Sequence, residues 1–493
     1  MMQAASSIST TRSPAVRLAA IVFVAAVLRT VFLGARSFWA DEIVSVKLAT
    51  DNWGGFWFWI SNREANMALY YLLLRGWIQA GDSEAWVRLL SAMAGIATVP
   101  LIYWVAKQLY NERVAWISGL LAATSACLVQ FSQEARSYSL VILLCVASYH
   151  FFIRLVRERS FWLVAAYVLV SAAALYAHFF AVLVICAQAA SVPWLPPLEI
   201  RWRRLAIAWV AIAMGALPIA YYVLKRDVGQ LYWVQPTTIA EVYKLAIFFA
   251  GGSKGVAAVL SVLSLVAIAS AVFAHRRSLT SRSEESWRFL LIFLWAVLPV
   301  LLTVLVSLHK PVFVHRYLLV ALPGYLIVIG LGLARIRRQS WLSCALAFFV
   351  TLSAVSIEQE YRRPVEDWRG VVEHVLSRAR PDDAVLIYIP YGANNFVFYA
   401  MRRERQSPHV PLARLDSVNS IAQLKAIDSP RIWLVLYPSP HVAEGAPLFE
   451  RTLKERFASL ERKQFKGIEV LLFSHPQAAA VSPPNTVSTS PAM

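Results

Sequence analysis

The sequence predicts a polytopic α-helical membrane protein of about 11 transmembrane helices, in a range of about 10–13, followed by a C-terminal extracytoplasmic α/β domain. Three observations predict it. First, hydrophobic residues make up 58% of the 493 and charged residues only 15%, where an average soluble chain has about 25% charged; mean hydropathy is +0.55. Second, apolar runs of span length recur until about residue 357, after which the composition turns mixed. Third, 47 Lys+Arg against 29 Asp+Glu give a net charge of +18, and the surplus recurs in clusters. These observations exclude a soluble enzyme, a collagen and a disordered chain. A basic surplus could suggest nucleic acid, but clusters on alternate connections follow the positive-inside bias of membrane proteins. No nucleic-acid partner is expected.

In chain order, residues 1–14 form a cytoplasmic N-terminus. The candidate spans are 15–33, 89–106, 114–131, 137–153, 161–177, 178–194, 205–224, 256–274, 289–308, 317–334 and 341–357. Each approaches the roughly 20 apolar residues a span needs. The first is read as a retained signal anchor, because Arg29 interrupts it and no A-x-A cleavage pattern follows. The run 67–80 is short and carries Arg75, so it reads as an interfacial or re-entrant helix.

Charge tests this count. With the N-terminus inside, the inner loops hold Lys107 and Arg113; Arg154, Arg157 and Arg159; Arg201, Arg203 and Arg204; Arg276, Arg277, Arg282 and Arg288; and Arg335, Arg337 and Arg338. Basic clusters thus fall on every second connection. The expected location is the cell inner membrane, multi-pass, with the N-terminus cytoplasmic and the C-terminal domain outside.

The transmembrane domain covers 15–357, with outer loops 34–88 and 225–255. The first loop holds an aromatic patch (Trp53, Phe56, Trp57, Phe58, Trp59), which reads as an interfacial belt. The second holds Tyr232, Trp233, Lys244 and a Gly251-Gly252-Ser253-Lys254-Gly255 turn, too short for a P-loop and read as a lid over a bound lipid. The outer domain covers 358–475, with helices expected at 365–377, 421–427 and 448–458 and strands at 384–389, 432–437 and 469–473. The Pro/Ser/Thr/Ala-rich tail 476–493 is expected to be disordered. Cys127, Cys145, Cys186 and Cys344 all lie in apolar runs without metal or disulfide spacing.

Chemistry-bearing residues collect on the outer side. Asp41-Glu42 follows the first span, and paired carboxylates beside a membrane are costly unless solvated, paired or used. They suit a general base or a ligand for a divalent cation held against phosphate, with Asp41 the candidate metal ligand. Gln133-Glu134-Ala135-Arg136-Ser137-Tyr138 joins two spans. Glu134 and Arg136 fit either a structural ion pair or an acidic and a phosphate-binding role, since the planar arginine fork suits phosphate oxygens. His309-Lys310-Pro311 and His315-Arg316-Tyr317 bring cations to the face where the positive-inside bias does not ask for them. His178 lies at the same boundary. A site that takes a phosphorylated lipid from the bilayer and an acceptor from outside fits this set.

The order of motifs resembles the GT-C membrane glycosyltransferases, specifically the family 39-like group of protein O-mannosyltransferases, lipid A aminoarabinose transferases and lipopolysaccharide sugar transferases. The residues that carry it are Trp39-Ala40-Asp41-Glu42; Asn66-Met67-Ala68-Leu69-Tyr70-Tyr71; Ser83-Glu84 with Arg88-Leu89-Leu90; and Gln133-Glu134-Ala135-Arg136-Ser137-Tyr138. Leu175-Tyr176-Ala177-His178, Arg316-Tyr317-Leu318 and Asp367-Trp368-Arg369 continue the series. The resemblance implies an inverting transferase using a polyprenyl-phosphate-linked sugar on the extracytoplasmic face, with an envelope lipid, glycan or protein as acceptor. Asp41, Glu42 and Glu134 take the catalytic positions. Arg136, Lys310 and Arg316 contact the donor phosphate, and Asn66, Tyr70, Tyr138, His178 and His315 contact substrate. Relatives often have Pro-Pro where this chain has Met67-Ala68, and some a metal-binding Glu just before; here Glu64 stands two residues before Asn66, which leaves metal dependence open. The alternatives are a transporter or lipid-linked sugar flippase, for which vesicle uptake without covalent transfer is the test, and a scaffold that acts through its C-terminal domain.

Overall fold

The computed structural model describes residues 13–196, 202–225, 234, 236–275, 283–363, 366–388, 390–403, 412–415, 421, 424, 427–437 and 446–475. The tail 476–493, most of the N-terminus 1–14, most of the expected helix 421–427, and Arg201, Tyr232, Trp233, Arg276, Arg277 and Arg282 lie outside the described residues. The chain divides into two units. One comprises Met1–Gly34 with Ser45–Arg362, the other Ala35–Val44 with Arg363–Met493.

The first unit is helical. Its elements are α1 (Pro14–Thr30), α2 (Ala40–Thr50, which crosses the division), α3 (Trp53–Trp59), α4 (Ala68–Trp77), α5 (Glu84–Leu109), α6 (Glu112–Thr124), α7 (Ala126–Ser132), α8 (Tyr138–Arg157), α9 (Trp162–Ala177) and α10 (Ala181–Ser191). They continue with α11 (Trp202–Lys225), α12 (Ile239–Phe249), α13 (Lys254–His275), α14 (Glu284–Ser307), α15 (Leu322–Leu333) and α16 (Gln339–Arg362). Among the described residues six helices are long and apolar enough to span a membrane, or eight if the bent pairs α6–α7 and α12–α13 each count as one. All eleven expected runs fall on helices, but α1, α9 and α10 have only 17, 16 and 11 residues. The expected run 178–194 is shortened because the chain breaks at His178 before α10 begins. Helix starts follow ordinary capping: Ser83 Oγ accepts Trp86 N–H at 3.3 Å and Asn111 Oδ1 accepts Val114 N–H at 3.0 Å.

The bend of 56° between α6 and α7 leaves carbonyls at the end of α6 without helical donors. Arg29, fully buried, supplies them: Nη2 donates to Ala122 O and Nη1 to Ala123 O, both at 3.0 Å. Gly95 makes the space, since a Cβ there would lie 2.0 Å from Ser132 Oγ and 3.2 Å from Arg29 Nε. The 67–80 run is the ten-residue α4, too short to span. Its Arg75 guanidinium stacks 4.0 Å from the Trp53 ring, while Trp53 and Trp57 stay more than half exposed.

The second unit is a small α/β domain. It holds α17 (Trp368–Leu376), β1 (Ala384–Tyr388), α18 (Pro390–Arg403), β2 (Leu412–Leu415), β3 (Arg431–Leu436), α19 (Ala446–Lys454), β4 (Ala458–Phe465) and β5 (Ile468–Ser474). The sheet order is β2-β1-β3-β5-β4. β1 pairs parallel with β2 and β3, while β5 runs antiparallel to β3 and β4. Leu386, Leu434, Leu471 and Phe473 pack with Phe449 and Leu453 of α19 in one core. The Lys466-Gly467 turn closes the β4–β5 hairpin, with Gly467 at φ 68°. The structure differs from expectation in several places: α18, β2 and β4 were not expected, the helix expected at 448–458 ends at Lys454 with β4 beginning at Ala458, and the boundary falls after Arg362 because α16 runs on to it.

Candidate active site

In the first unit the site is built at the end of α5 and α8 where those helices start. The turn after α7 presents Arg136, which is 7% exposed. Its Nη1 donates to Tyr71 OH at 3.1 Å and to Ser45 Oγ at 3.4 Å. Tyr71 OH donates onward to Glu64 Oε2 at 2.9 Å. The backbone is fixed as well, since Ser91 Oγ donates to Arg136 O at 3.1 Å and Tyr70 OH lies 2.9 Å from Ser91 Oγ. Glu64 closes a π-helical turn, Ile60–Glu64, and Asn66 sits in the 3₁₀ turn that follows, Ala65–Met67. Such turns re-aim side chains at functional sites.

Asn66 reaches the break between α9 and α10. Its Oδ1 accepts Phe179 N–H at 2.9 Å, and its Nδ2 lies 3.1 Å from His178 Nε2. His178, outside both helices and 1% exposed, has Nδ1 accepting Phe180 N–H at 3.2 Å. Its ring contacts those of Tyr317 (4.7 Å) and Tyr138 (6.2 Å). Burial first, then the Arg136 and Arg316 guanidiniums, push the His178 pKa down to about 3, so the ring is neutral at pH 7. Arg316 is half-buried, 5.9 Å from the Tyr317 ring centroid. Two arginines from distant segments therefore face one neutral, buried imidazole. Fixed cations of this kind suit an anionic group, phosphate above all.

The other expected residues lie as follows. His315 turns to α12, where its Nε2 is 3.3 Å from Glu241 Oε2 and its ring stacks on Phe248. Lys310 is exposed, and Glu134 is half-buried beside Arg136 in sequence. Asp41 and Glu42 belong to the second unit. They open α2, where Glu42 Oε2 accepts Trp39 N–H at 3.2 Å and Glu42 is fully buried. Glu42 thus closes the start of the helix as the acidic half of a capping box does, and Asp41 is the half-exposed carboxylate of the pair. Ser45 and Ser91 were not singled out from sequence, and Tyr71 and Tyr317 stood in quoted motifs without a role. The seven-residue spacing of Glu64 and Tyr71, about two helical turns, was the available signal. Hollows of about 450 Å³ (Tyr110, Arg288, Arg335) and 760 Å³ (Arg17, Arg113, Trp116) lie at the opposite helix ends, and none of the candidate site residues lines them.

A family model described as dolichyl-phosphate-mannose-protein mannosyltransferase matches residues 67–224. No curated protein sequence matches the chain. Among solved structures, ArnT from Cupriavidus metallidurans in the apo state is 13% identical with a TM-score of 0.59, over 93% of this chain and 98% of that one. The archaeal oligosaccharyltransferase AglB from Archaeoglobus fulgidus, in complex with an inhibitory peptide and a dolichol-phosphate, is 10% identical with a TM-score of 0.52, over 96% and 75%. The arabinofuranosyltransferase AftD from mycobacteria is 12% identical with a TM-score of 0.52, over 94% and 40%. The family match spans residues 67–224, and over nearly the whole chain the fold is similar to those of the solved membrane transferases ArnT, AglB and AftD.

Proposed function

We propose that the chain is an integral membrane glycosyltransferase that moves a sugar from a polyprenyl-phosphate-linked donor to an envelope lipid, glycan or protein on the extracytoplasmic face. What supports this reading is buried Arg136 in the membrane unit, together with buried His178, which contacts Asn66 and packs on Tyr317, the neighbour of Arg316. The fold of ArnT, also solved bound to undecaprenyl phosphate at 13% identity and a TM-score of 0.58, supports a lipid-phosphate donor.

In the reaction, Asp41 takes the proton of the acceptor hydroxyl as that oxygen attacks the anomeric carbon. The bond from that carbon to the phosphate oxygen breaks on the opposite side, and the lipid phosphate leaves with the electron pair, giving inversion. Arg136 and Arg316 stabilise the negative charge on the departing phosphate. Asn66 and His178, with Tyr70 and Tyr138, shape the wall around it. Among the described residues no three His, Cys, Asp or Glu side chains are arranged to hold a metal ion. A divalent cation on Asp41 would draw its remaining ligands from phosphate and water, as Mg²⁺ commonly does.

Two measurements test the proposal. Mass spectrometry of lipid extracts from a deletion strain against its parent should show an accumulated sugar-lipid donor and an acceptor lacking one sugar. Re-expressed Asp41→Asn should insert in the membrane at wild-type level and fail to restore the product. Full restoration would sink the assignment.

A further inference from the structure

We propose that the second unit holds Asp41 in its working position, with Ser37, Asp367 and Tyr399 as positioning residues. The proposal rests on Asp41 being the acting carboxylate. The segment Ala35–Val44, which carries the motif, belongs to the α/β unit although more than 300 residues separate the two in sequence.

Both ends of the approach to Asp41 are fastened. Phe38 N–H donates to Tyr399 OH of α18 at 2.7 Å. The Phe38 side chain is fully buried and meets Phe398 edge to face at 5.9 Å. The Arg402 guanidinium lies 4.8 Å from the Phe398 ring and 6.0 Å from that of Phe38. One residue earlier, Ser37 Oγ donates to Asp367 Oδ1 at 3.4 Å and accepts Arg369 N–H at 3.2 Å. One residue later, Trp39 N–H is taken by Glu42 at the start of α2. Three consecutive residues are thus fixed just before Asp41, which stands in the first turn of that helix and inherits its direction.

The anchor is itself rigidly built. Asp367 Oδ1 caps α17 by accepting Gly370 N–H at 3.0 Å, and Asp367 N–H donates to Lys466 O in the β4–β5 turn at 3.0 Å. The position of Asp41 is therefore referred to the sheet. Glu366, next to Asp367, senses both motif carboxylates: its pKa is raised, by burial first and then by Asp41 and Glu42. A reacting group misplaced by about 1 Å loses about 100-fold in rate, so an anchor of this kind acts on turnover.

The test compares Ser37→Ala, Tyr399→Phe, Asp367→Ala and Asp367→Asn in the purified full chain, with Asp41→Asn in parallel. The donor is the sugar-lipid isolated from the deletion strain. Ser37→Ala, Tyr399→Phe and Asp367→Ala should lower kcat about tenfold or more, with donor KM within about twofold and Trp fluorescence melting unchanged. Asp367→Asn keeps an acceptor for Ser37 and Gly370 and should restore kcat. If Tyr399→Phe or Asp367→Ala fails to fold, Ser37→Ala decides. Wild-type kcat in Ser37→Ala, or an effect on KM alone, overturns the positioning role while an inactive Asp41→Asn leaves the transferase reading standing. An active Asp41→Asn removes Asp41 as the acting carboxylate, and the positioning role falls with it.

Discussion

The two ends of the membrane unit use the same residue type in opposite ways. At one end, cations pair with carboxylates in partly exposed bridges: Lys107 with Glu112 and Arg157 with Glu284, both at 2.8 Å, and Arg154 with Glu158 at 2.7 Å. At the other end, Arg136 is almost wholly buried and is held by the hydroxyls of Tyr71 and Ser45. Exposed pairs of the first kind contribute little energy. A buried charge acts through a lower effective dielectric than an exposed one, so its field at a nearby ligand is stronger. The difference teaches that the charge surplus is two populations, and that burial separates them better than sequence count does.

The sharpest way to break this comparison is Arg136→Lys. A lysine lacks the planar guanidinium fork that suits phosphate oxygens, and transfer should fall about 100-fold, read as initial rate in detergent. A rate near wild type would make Arg136 one more structural cation. A buried carboxylate extends the comparison to the second unit. Glu366 is raised above its ordinary value by burial and by Asp41 and Glu42. Its stabilising contribution is therefore complete below the ordinary value and is lost as pH rises through the raised one. The melting temperature of the chain should fall as pH climbs from about 4.5, and Glu366→Gln should flatten that slope. The smallest effect belongs to the paired end. Arg157→Gln should cost less than about 1 kcal/mol by melting and leave transfer unchanged; a loss of transfer there would merge the two populations.

Much of this was legible in the chain. Every expected apolar run became a helix, because hydropathy over a span-length window survives any packing. Asn66 and His178, named from separate motifs, lie in contact with each other. The remainder depended on distance in sequence or on weak patterns. His315 shares the motif of Arg316, yet its neighbour Glu241 draws it to α12. β4 reads Ala-Ser-Leu-Glu-Arg-Lys-Gln-Phe and is mostly exposed along its length, so no alternation marked it as an edge strand. The capture of Ala35–Val44 by the α/β unit rests on single contacts such as Phe38 to Tyr399, which leave no local trace.

The carbonyl cradle around Arg29 bears on how the chain is made. α1 is synthesised long before Ala122 and Ala123, so its arginine is made without those acceptors. An unsupported arginine costs up to about 3 kcal/mol on insertion scales. With Arg17 near its start and Arg29 in its last turn, α1 draws little orientation from its own charges. The Arg29 guanidinium gains the carbonyls of Ala122 and Ala123 only once α6 has been made, so the packing of α1 is finished late.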